Sequence, residues 1–223
     1  KFLNQKILIK LLEITPITDT KIEKCLRYLR AEILLNIKSF KDKNNVLKLI
    51  SLIASQCFIN EYIYPLTLKE EQAIIELEKQ IEFEIKNKNL NKVMLEVSCL
   101  GAYRPLISYS WSHNIKNIEE IRSLYKQQVE NPIKEIEIRN SLKIREIKNT
   151  ISLKVKDQYE NSPYPRWEKI ALNYRQKKPL NFFKNLDLNF NEESVKNWDN
   201  VDVLVAGCGT GQHAITTATK YEN

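Results

Sequence analysis

Glycines at alternate positions near residue 210 constrain this chain more than any other feature of its sequence. Three of the four glycines in its 223 residues are Gly207, Gly209 and Gly211. Glycine alone adopts left-handed backbone without steric cost, and its missing Cβ lets a ligand approach the main chain closely. The β-branched run at residues 201–205 is typical of a strand buried on both faces of a parallel sheet. We therefore predict a strand, a tight glycine turn and a helix that begins near Gly211.

This predicted turn suits a polar or anionic ligand head, because the first amide N–H groups of the following helix have no partner within that helix. The glycine spacing narrows the choice of ligand. Dinucleotide-binding turns follow the pattern G-x-G-x-x-G, whose third glycine would fall at position 212, and this chain has Gln212 there. The alternative is a tight strand-to-helix turn of small residues that binds no ligand.

An aromatic and proline-rich segment, Gln-Tyr-Glu-Asn-Ser-Pro-Tyr-Pro-Arg-Trp, occupies residues 158–167. Pro163 and Pro165 each disfavour helical backbone for the residue before them. We therefore expect an extended segment rather than a helix. Extended chain of this kind is costly to order unless it packs on something, so we expect it to fold across the glycine turn.

The two segments together resemble class I S-adenosylmethionine-dependent methyltransferases. Residues 206–213, Ala-Gly-Cys-Gly-Thr-Gly-Gln-His, are similar to motif I of that family. Residues 158–167 are similar to a Q-Y-E-x-N-P-Y-P-R-W element of its bacterial members that carry tetratricopeptide repeats. Residues 56–62 and 103–106 also look like the helical region of that group.

Two positions depart from the family pattern. Val205 stands where the family has Asp or Glu, often facing the amino group of the cofactor. That amino group would then need a backbone carbonyl, water or a residue from elsewhere. Ser162 lies between Asn161 and Pro163, whereas the family element has Asn directly before that proline.

The resemblance implies S-adenosylmethionine as the cofactor, with its methionine and ribose parts held by the turn. The implied cofactor-binding residues are Ala206, Gly207, Cys208, Gly209, Gly211, Gln212, His213, Tyr159 and Arg166. Arg166 suits the cofactor carboxylate, because a planar guanidinium can engage both oxygens. Tyr164 and Trp167 are expected to act as a lid that, with Tyr159, keeps water out. The alternative for these aromatic residues is packing alone, at the junction between a helical block and the sheet.

The implied function is transfer of a methyl group from S-adenosylmethionine to an acceptor that the sequence does not identify. A protein acceptor is weakly preferred, since the related chains carry repeats that bind peptides. No catalytic residue is recognisable, and the strand that holds the ribose would lie beyond residue 223. We therefore expect this piece alone to bind the cofactor feebly and to be inactive. The alternative is a helical protein-interaction or dimerisation module whose catalytic part is degenerate or absent.

The predicted fold class is mainly α. An all-helical domain at residues 1–149 is followed by a connector at residues 150–200, which contains the lid segment. Residues 201–223 are expected to begin a truncated Rossmann-like α/β methyltransferase domain with its first β-α unit. The helices show no internal period, so tetratricopeptide repeats, if present, would precede residue 1.

Several residues mark expected helix ends. Asp19 or Thr20 is expected to cap the second helix, and residues 67–70 form a capping box. Gly101 is the expected stop of a shorter helix. Pro132 is expected in the first turn of a separate helix, where its missing N–H is tolerated.

The helical block shows no obvious chemistry. Its aromatic side chains are expected in the core: Tyr28, Phe58, Tyr62, Tyr103, Tyr109 and Trp111. Asn60 and Glu61 interrupt an apolar pattern and, if buried, must form hydrogen bonds. We expect them to fasten one helix to its neighbour; a substrate-docking surface is the alternative.

Composition limits the partners. Lys and Arg outnumber Asp and Glu by 35 to 28, a formal net charge of +7, but the two signs alternate along the helices and are expected on solvated faces. Nucleic acid is therefore not an expected partner, although Arg175, Lys177 and Lys178 form one basic cluster that could bind it.

Cysteine and hydropathy patterns argue against a metal site and a membrane span. The four cysteines are isolated from one another and the chain has two histidines, so no metal site is expected. Residues 46–63 are the most apolar stretch, but polar residues interrupt it and it falls short of the about 20 apolar residues that cross a bilayer. We expect a cytoplasmic protein with reduced thiols; its oligomeric state is not indicated.

Overall fold

The structure is a computed structural model of the chain. It describes residues 6–14, 16–40, 43–142, 149–161, 166–167, 176–178, 181, 184, 189, 191–195 and 202–221. The α-helices in chain order are α1 (Lys6–Ile14), α2 (Thr20–Leu35), α3 (Lys43–Ile59), α4 (Leu68–Lys86), α5 (Met94–Gly101), α6 (Arg122–Tyr125), α7 (Asn131–Ser141), α8 (Thr150–Asn161), α9 (Glu192–Val195) and α10 (Gln212–Ala218). Among these residues no strand is present, and one parallel bridge joins Lys177 to Tyr221. The mainly helical fold that the sequence predicts is confirmed.

Helices α2 and α4 begin where the sequence predicts. Asp19, rather than Thr20, caps α2: its Oδ1 accepts hydrogen bonds from two N–H groups of the first turn, each at 2.9 Å. At α4 the Glu70 carboxylate accepts from the Thr67 N–H at 2.9 Å, while Thr67 Oγ1 accepts from the Glu70 N–H at 3.3 Å. These bonds satisfy N–H groups that the start of a helix leaves without partners. The predicted capping box is confirmed.

The helices pack around α3. This helix lies against α1, α2 and α5, and α4 packs on α2 and α5. The second half of α3 buries side chains in nearly every direction: Leu52, Ile53, Ala54, Gln56, Cys57, Phe58 and Ile59. A helix that is buried all round lies at the centre of its domain. The expectation that residues 46–63 contain a buried helix is therefore confirmed.

The end of this helical body differs from the separate helices that the sequence predicts. A 3-10 turn (Glu119–Ile121), α6, a π-helical turn (Lys126–Glu130) and α7 follow one another without a break. Pro132 lies in the first turn of α7, as expected. In a regular α-helix its ring would clash with the carbonyl four residues earlier. The wider π turn directly before it avoids that clash and contains the buried Gln127 and Gln128.

Gln128 joins three segments of this body. Its Nε2 donates to the carbonyl oxygens of Gly101 at 2.8 Å and Ala54 at 3.2 Å, and its Oε1 accepts from the N–H of Leu106 at 3.2 Å. Helix α5 ends at Gly101, but the residue after it, Ala102, is right-handed. A Cβ at Gly101 would lie 3.2 Å from Gln128 Oε1. The glycine therefore makes room for the Gln128 amide, and the expected stop of this helix at Gly101 is confirmed.

A buried charge lies between α2 and α4. Arg30 is 1% exposed, and its guanidinium lies 3.6 Å from the Glu70 carboxylate, donates to the Pro65 carbonyl at 3.2 Å and lies 4.2 Å from the Tyr103 ring centroid. The Tyr103 hydroxyl donates to Glu70 at 2.9 Å. Burial acts to raise the pKa of Glu70, but hydrogen bonds from Thr67 and Tyr103 and the charge of Arg30 together lower that pKa below its usual value.

Five of the six aromatic side chains expected in the core contribute to it. Phe58, Tyr103 and Trp111 are buried, and Tyr62 and Tyr109 are half-buried. Tyr28 is 65% exposed, so its assignment to the core is wrong. The reason is the helical period, which turns Tyr28 away from the buried positions Leu26 and Arg30 on α2.

The proline-rich segment is partly helical. Residues 158–161 form the last turn of α8, so the expectation that they are extended is wrong. Pro163 restricts only the residue directly before it, and the helix ends at Asn161 before that restriction applies. Residues 162–165 lie outside the described residues.

Candidate cofactor-binding turn

The glycine turn has the backbone that its sequence predicts. The φ angles of Gly207, Gly209 and Gly211 are 66°, 54° and 82°. Left-handed backbone costs other L-residues roughly 1–2 kcal/mol each. The Gly211 N–H donates to the Cys208 carbonyl at 2.9 Å, and α10 begins at the next residue. The conformation therefore favours glycine at each of the three positions, and the helix predicted to begin near Gly211 is confirmed.

The space over the turn is open. A Cβ placed on any of the three glycines would meet no atom within 4 Å. Ala206 and Cys208 are exposed as well. Close packing of protein against the turn therefore does not explain these glycines, and a ligand could approach the main chain from this side.

The predicted strand before the turn is absent. Residues 202–205 form no strand, and Val203 and Leu204 are 51% and 92% exposed. A strand needs a neighbour to pair its N–H and C=O groups, and a buried strand needs helices on both faces. No described residue pairs with residues 202–205 as a strand. The apolar run therefore has the composition of a buried strand, but the described residues provide neither a neighbouring strand nor helices that cover it.

Trp167 joins the proline-rich segment to the glycine turn. Its Nε1–H donates to the carbonyl oxygen of Thr210 at 3.1 Å, and Thr210 lies between two left-handed glycines. Trp167 is half-buried. The structure thus brings together the two segments that the sequence singles out.

Arg166 contacts the helical body instead of the open side of the turn. Its Nε donates to Glu61 Oε1 at 2.7 Å, and its Nη1 lies 3.8 Å from Glu135. The guanidinium also lies 4.5 Å from the centroid of the Phe58 ring. The Arg166 side chain is 19% exposed. Its expected partner was a cofactor carboxylate, whereas the partner in this structure is Glu61.

Glu61 occupies an unusual turn at the end of α3. Glu61 and Tyr62 have φ angles of 57° and 56°, which are left-handed values that non-glycine residues rarely adopt. The Tyr62 N–H donates to the Cys57 carbonyl at 2.8 Å, and the Tyr62 hydroxyl donates to the Gly101 carbonyl at 3.3 Å. Burial raises the pKa of Tyr62 well above its usual value. Helix α3 thus ends in a turn that presents the Glu61 carboxylate to Arg166.

Glu61 is recognisable in the sequence as an unusual position, but its partner is not. Glu61 interrupts an apolar pattern and was expected to fasten one helix to its neighbour. It fastens the helical body to Arg166, 105 residues further along the chain. Phe58 also contacts Arg166, and its aromatic spacing predicted only a core position.

The remaining predicted site residues are less informative. Gln212 is half-buried at the start of α10, and His213 is exposed. Tyr159 lies in the last turn of α8, but its side chain is outside the described residues, as is Tyr164 altogether. The described residues therefore supply a backbone cradle, a Trp167 contact to it and an exposed His213 in the first turn of α10.

The described part of the chain also bears on metals and membranes. It contains no group of three or more His, Cys, Asp or Glu side chains arranged to hold a metal ion. Each of its helices is too short or too polar to cross a bilayer.

Comparisons with known proteins add no relative. No protein-family model matches this chain, and neither a curated protein nor a solved structure matches it significantly.

Proposed function

We propose that this chain is part of an S-adenosylmethionine-dependent methyltransferase whose cofactor lies on residues 206–213. The observation that carries the proposal is the open turn with left-handed backbone at Gly207, Gly209 and Gly211. Glutamine at position 212 disfavours a dinucleotide, whose turn needs a third glycine there.

The residues present fit the methionine part of this cofactor. The open side of the turn leaves room beside the main chain of residues 206–211, and the polar peptide groups there can meet the polar groups of the ligand. Methyl transfer is an in-line displacement, so the protein mainly holds the acceptor in line and excludes water. That chemistry has no obligatory dedicated acid or base.

The β-α unit of a Rossmann-like domain belongs to the same proposal. Val203 and Leu204 are apolar and exposed, and covering them would remove an unfavourable contact with water. In the full-length protein, residues 201–205 would pair with neighbouring strands and become the first strand of the methyltransferase domain. The acceptor we favour is a protein side chain, because the chains that the motif resembles carry peptide-binding repeats.

A helical interaction module is the second candidate. One observation favours it: α7 buries no side chain, and Ile138 and Leu142, four residues apart at its end, are 59% and 61% exposed. Exposed apolar side chains that lie together can form part of a protein-binding site. In that case the glycine turn would bind no cofactor.

Titration calorimetry of the full-length protein separates the two functions. We expect S-adenosylmethionine to bind in the micromolar range and NAD not to bind, and we expect residues 1–223 alone to bind S-adenosylmethionine feebly. Binding of NAD without S-adenosylmethionine, or of neither ligand, would contradict the proposal.

Two substitutions of Gly209 test the turn itself. Gly209→Ala strains the left-handed backbone, whereas Gly209→Asn tolerates that backbone but fills the open side of the turn. If a ligand occupies that side, both variants lose affinity for S-adenosylmethionine. If only conformation matters, Gly209→Asn binds like the wild type.

A further inference from the structure

We infer that Arg166 is a positioning residue that Glu61 holds, and that the two residues, through Trp167, fix the glycine turn to the helical body. This inference rests on the proposed function for its consequence, which is that Glu61 supports cofactor binding without touching the cofactor. The four residues in order of contact are Glu61, Arg166, Trp167 and Thr210, and we name them the Glu61 latch.

The first step is the anchoring of Arg166. Its Nε–H donates to Glu61 Oε1 at 2.7 Å, and its Nη1 lies 3.8 Å from Glu135 Oε2. The guanidinium carbon lies 4.5 Å from the centroid of the Phe58 ring. The ion pair is largely shielded, since Arg166 and Glu61 side chains are 19% and 27% exposed. Charge-assisted hydrogen bonds are stronger than neutral ones, and this advantage is smaller where water screens the charges. Arg166 is therefore committed to the helical body.

The second step is the backbone of Glu61. A left-handed residue that only ends a helix is usually glycine, because glycine has no steric penalty there. Here that position holds Glu61 at φ 57°, directly followed by Tyr62 at 56°. Such strain persists where the surroundings determine the conformation, and it is common at ligand clamps. Glycine at this position would avoid the strain, but it would not supply the carboxylate that binds Arg166.

The third step is the contact of Trp167 with the turn. Consecutive Cα atoms are about 3.8 Å apart across a trans peptide, so holding Arg166 also restricts the position of Trp167. Trp167 donates to the carbonyl of Thr210, the residue between Gly209 and Gly211. The indole thereby restrains a peptide of the turn itself, whose glycines have more backbone freedom than other residues.

Two ligands distinguish this positioning role from direct binding of the cofactor by Arg166. S-adenosylhomocysteine carries the amino-acid carboxylate, and 5′-methylthioadenosine lacks it. In the full-length protein we expect Arg166→Ala to weaken binding of both ligands by the same factor, roughly five- to tenfold, within the usual range for coupled sites. Loss of affinity for S-adenosylhomocysteine alone would show that Arg166 binds the carboxylate and would overturn the inference.

The positioning role and the carboxylate-binding role of Arg166 predict opposite changes in affinity for S-adenosylhomocysteine when Glu61 is replaced by glutamine. If Glu61 positions Arg166, this variant weakens both ligands. If Arg166 serves the cofactor carboxylate, removing its competitor frees the guanidinium, and S-adenosylhomocysteine binds more tightly. Glu137→Gln, an exposed glutamate on α7, is the matched control and should leave both affinities unchanged. Arg166→Lys keeps the charge and should lose less affinity for both ligands than Arg166→Ala does. This comparison serves as the test if Glu61→Gln fails to fold.

A readout without cofactor separates failure of the latch from failure of the proposed function. The chain has three tryptophans, so its indole N–H groups give three nitrogen–proton NMR signals, and Trp167→Phe identifies the one from Trp167. We expect Glu61→Gln to shift that signal and to speed its exchange with solvent, and Glu137→Gln to do neither. An unchanged Trp167 signal overturns the latch, whereas a changed signal in a protein that binds neither ligand keeps the latch and rejects the cofactor.

Discussion

Replacing Arg30 by methionine should destabilise the helical body strongly. Methionine has a similar length and no charge, so the substitution removes the cation while filling most of its volume. Glu70 would then keep its hydrogen bonds from Thr67 and Tyr103 but lose the charge 3.6 Å away. A carboxylate in a site that water barely reaches would be left without a compensating charge.

The expected magnitude follows from that burial. Removing one partner of a buried ion pair typically costs about 3–5 kcal/mol, whereas an exposed pair is worth about 0–1 kcal/mol. Arg30 and Glu70 side chains are 1% and 5% exposed, so the larger figure applies. For a chain of this size, each kcal/mol lowers the melting temperature by about 2–4 °C. Arg30→Met should therefore melt roughly 6–20 °C below the wild type.

Urea unfolding followed by circular dichroism measures this change. Arg27→Met is the matched control, because Arg27 lies one turn earlier on α2 in a pair with Glu23 at 3.9 Å whose side chains are 37% and 32% exposed. It should change the free energy of unfolding by about 1 kcal/mol or less. The double variant Arg30→Met, Glu70→Gln should lose less than the sum of the single variants, since no uncompensated charge remains. Additive losses, or a loss in Arg30→Met no larger than in Arg27→Met, would refute the argument.

The Arg30–Glu70 pair predicts that the free energy of unfolding depends on pH. The pKa of Glu70 is lower in the folded chain than its usual value, so its charged form stabilises the fold above about pH 4.3, the unfolded pKa. That stabilisation is lost as the pH falls through the folded pKa. The difference in free energy of unfolding between wild type and Glu70→Gln should therefore shrink below about pH 4.3, and a constant difference from neutral to acidic pH would contradict it.

Two further predictions concern other buried groups. Gln128→Ala should lower the free energy of unfolding by about 3–5 kcal/mol, because it leaves a cavity and deprives buried backbone groups of their partner; a loss under about 1 kcal/mol in a urea titration would show that those groups find other partners. In the folded chain, a thiol-specific reagent should modify Cys25 and Cys208, which are exposed, and spare Cys57 and Cys99, which are buried. Burial raises the pKa of Cys57 to about 11 and that of Cys99 further, so thiolate is scarce at neutral pH; reaction of all four cysteines before unfolding would show that the core opens.

Features that depend on a few neighbouring residues could be predicted from the sequence. The Asp19 cap, the capping box at residues 67–70 and the helix after Gly211 were all predicted and are present. So was the left-handed backbone that the alternate glycines permit. Each depends on a hydrogen bond or a steric limit within about one helical turn, and such interactions are the same wherever the segment lies in the fold.

Features that depend on distant residues were missed or misassigned. The run at residues 202–205 has strand composition, yet a strand also needs partners, and the described residues provide none. Arg30 is charged and was not recognised as buried, because its partners Glu70 and Ala102 lie 40 and 72 residues away in sequence. A window of sequence does not contain the groups that compensate such a charge.

The candidate site divides in the same way. The sequence by itself determined the glycine turn and marked the Arg166–Trp167 pair as noteworthy. Only the tertiary structure decided which way that pair faces, because Arg166 could bind either a ligand or a carboxylate of the helical body. The choice of Glu61 depends on where α3 ends and on the left-handed turn that follows it. Local chemistry fixes what a side chain can bind, and packing fixes which partner comes within reach.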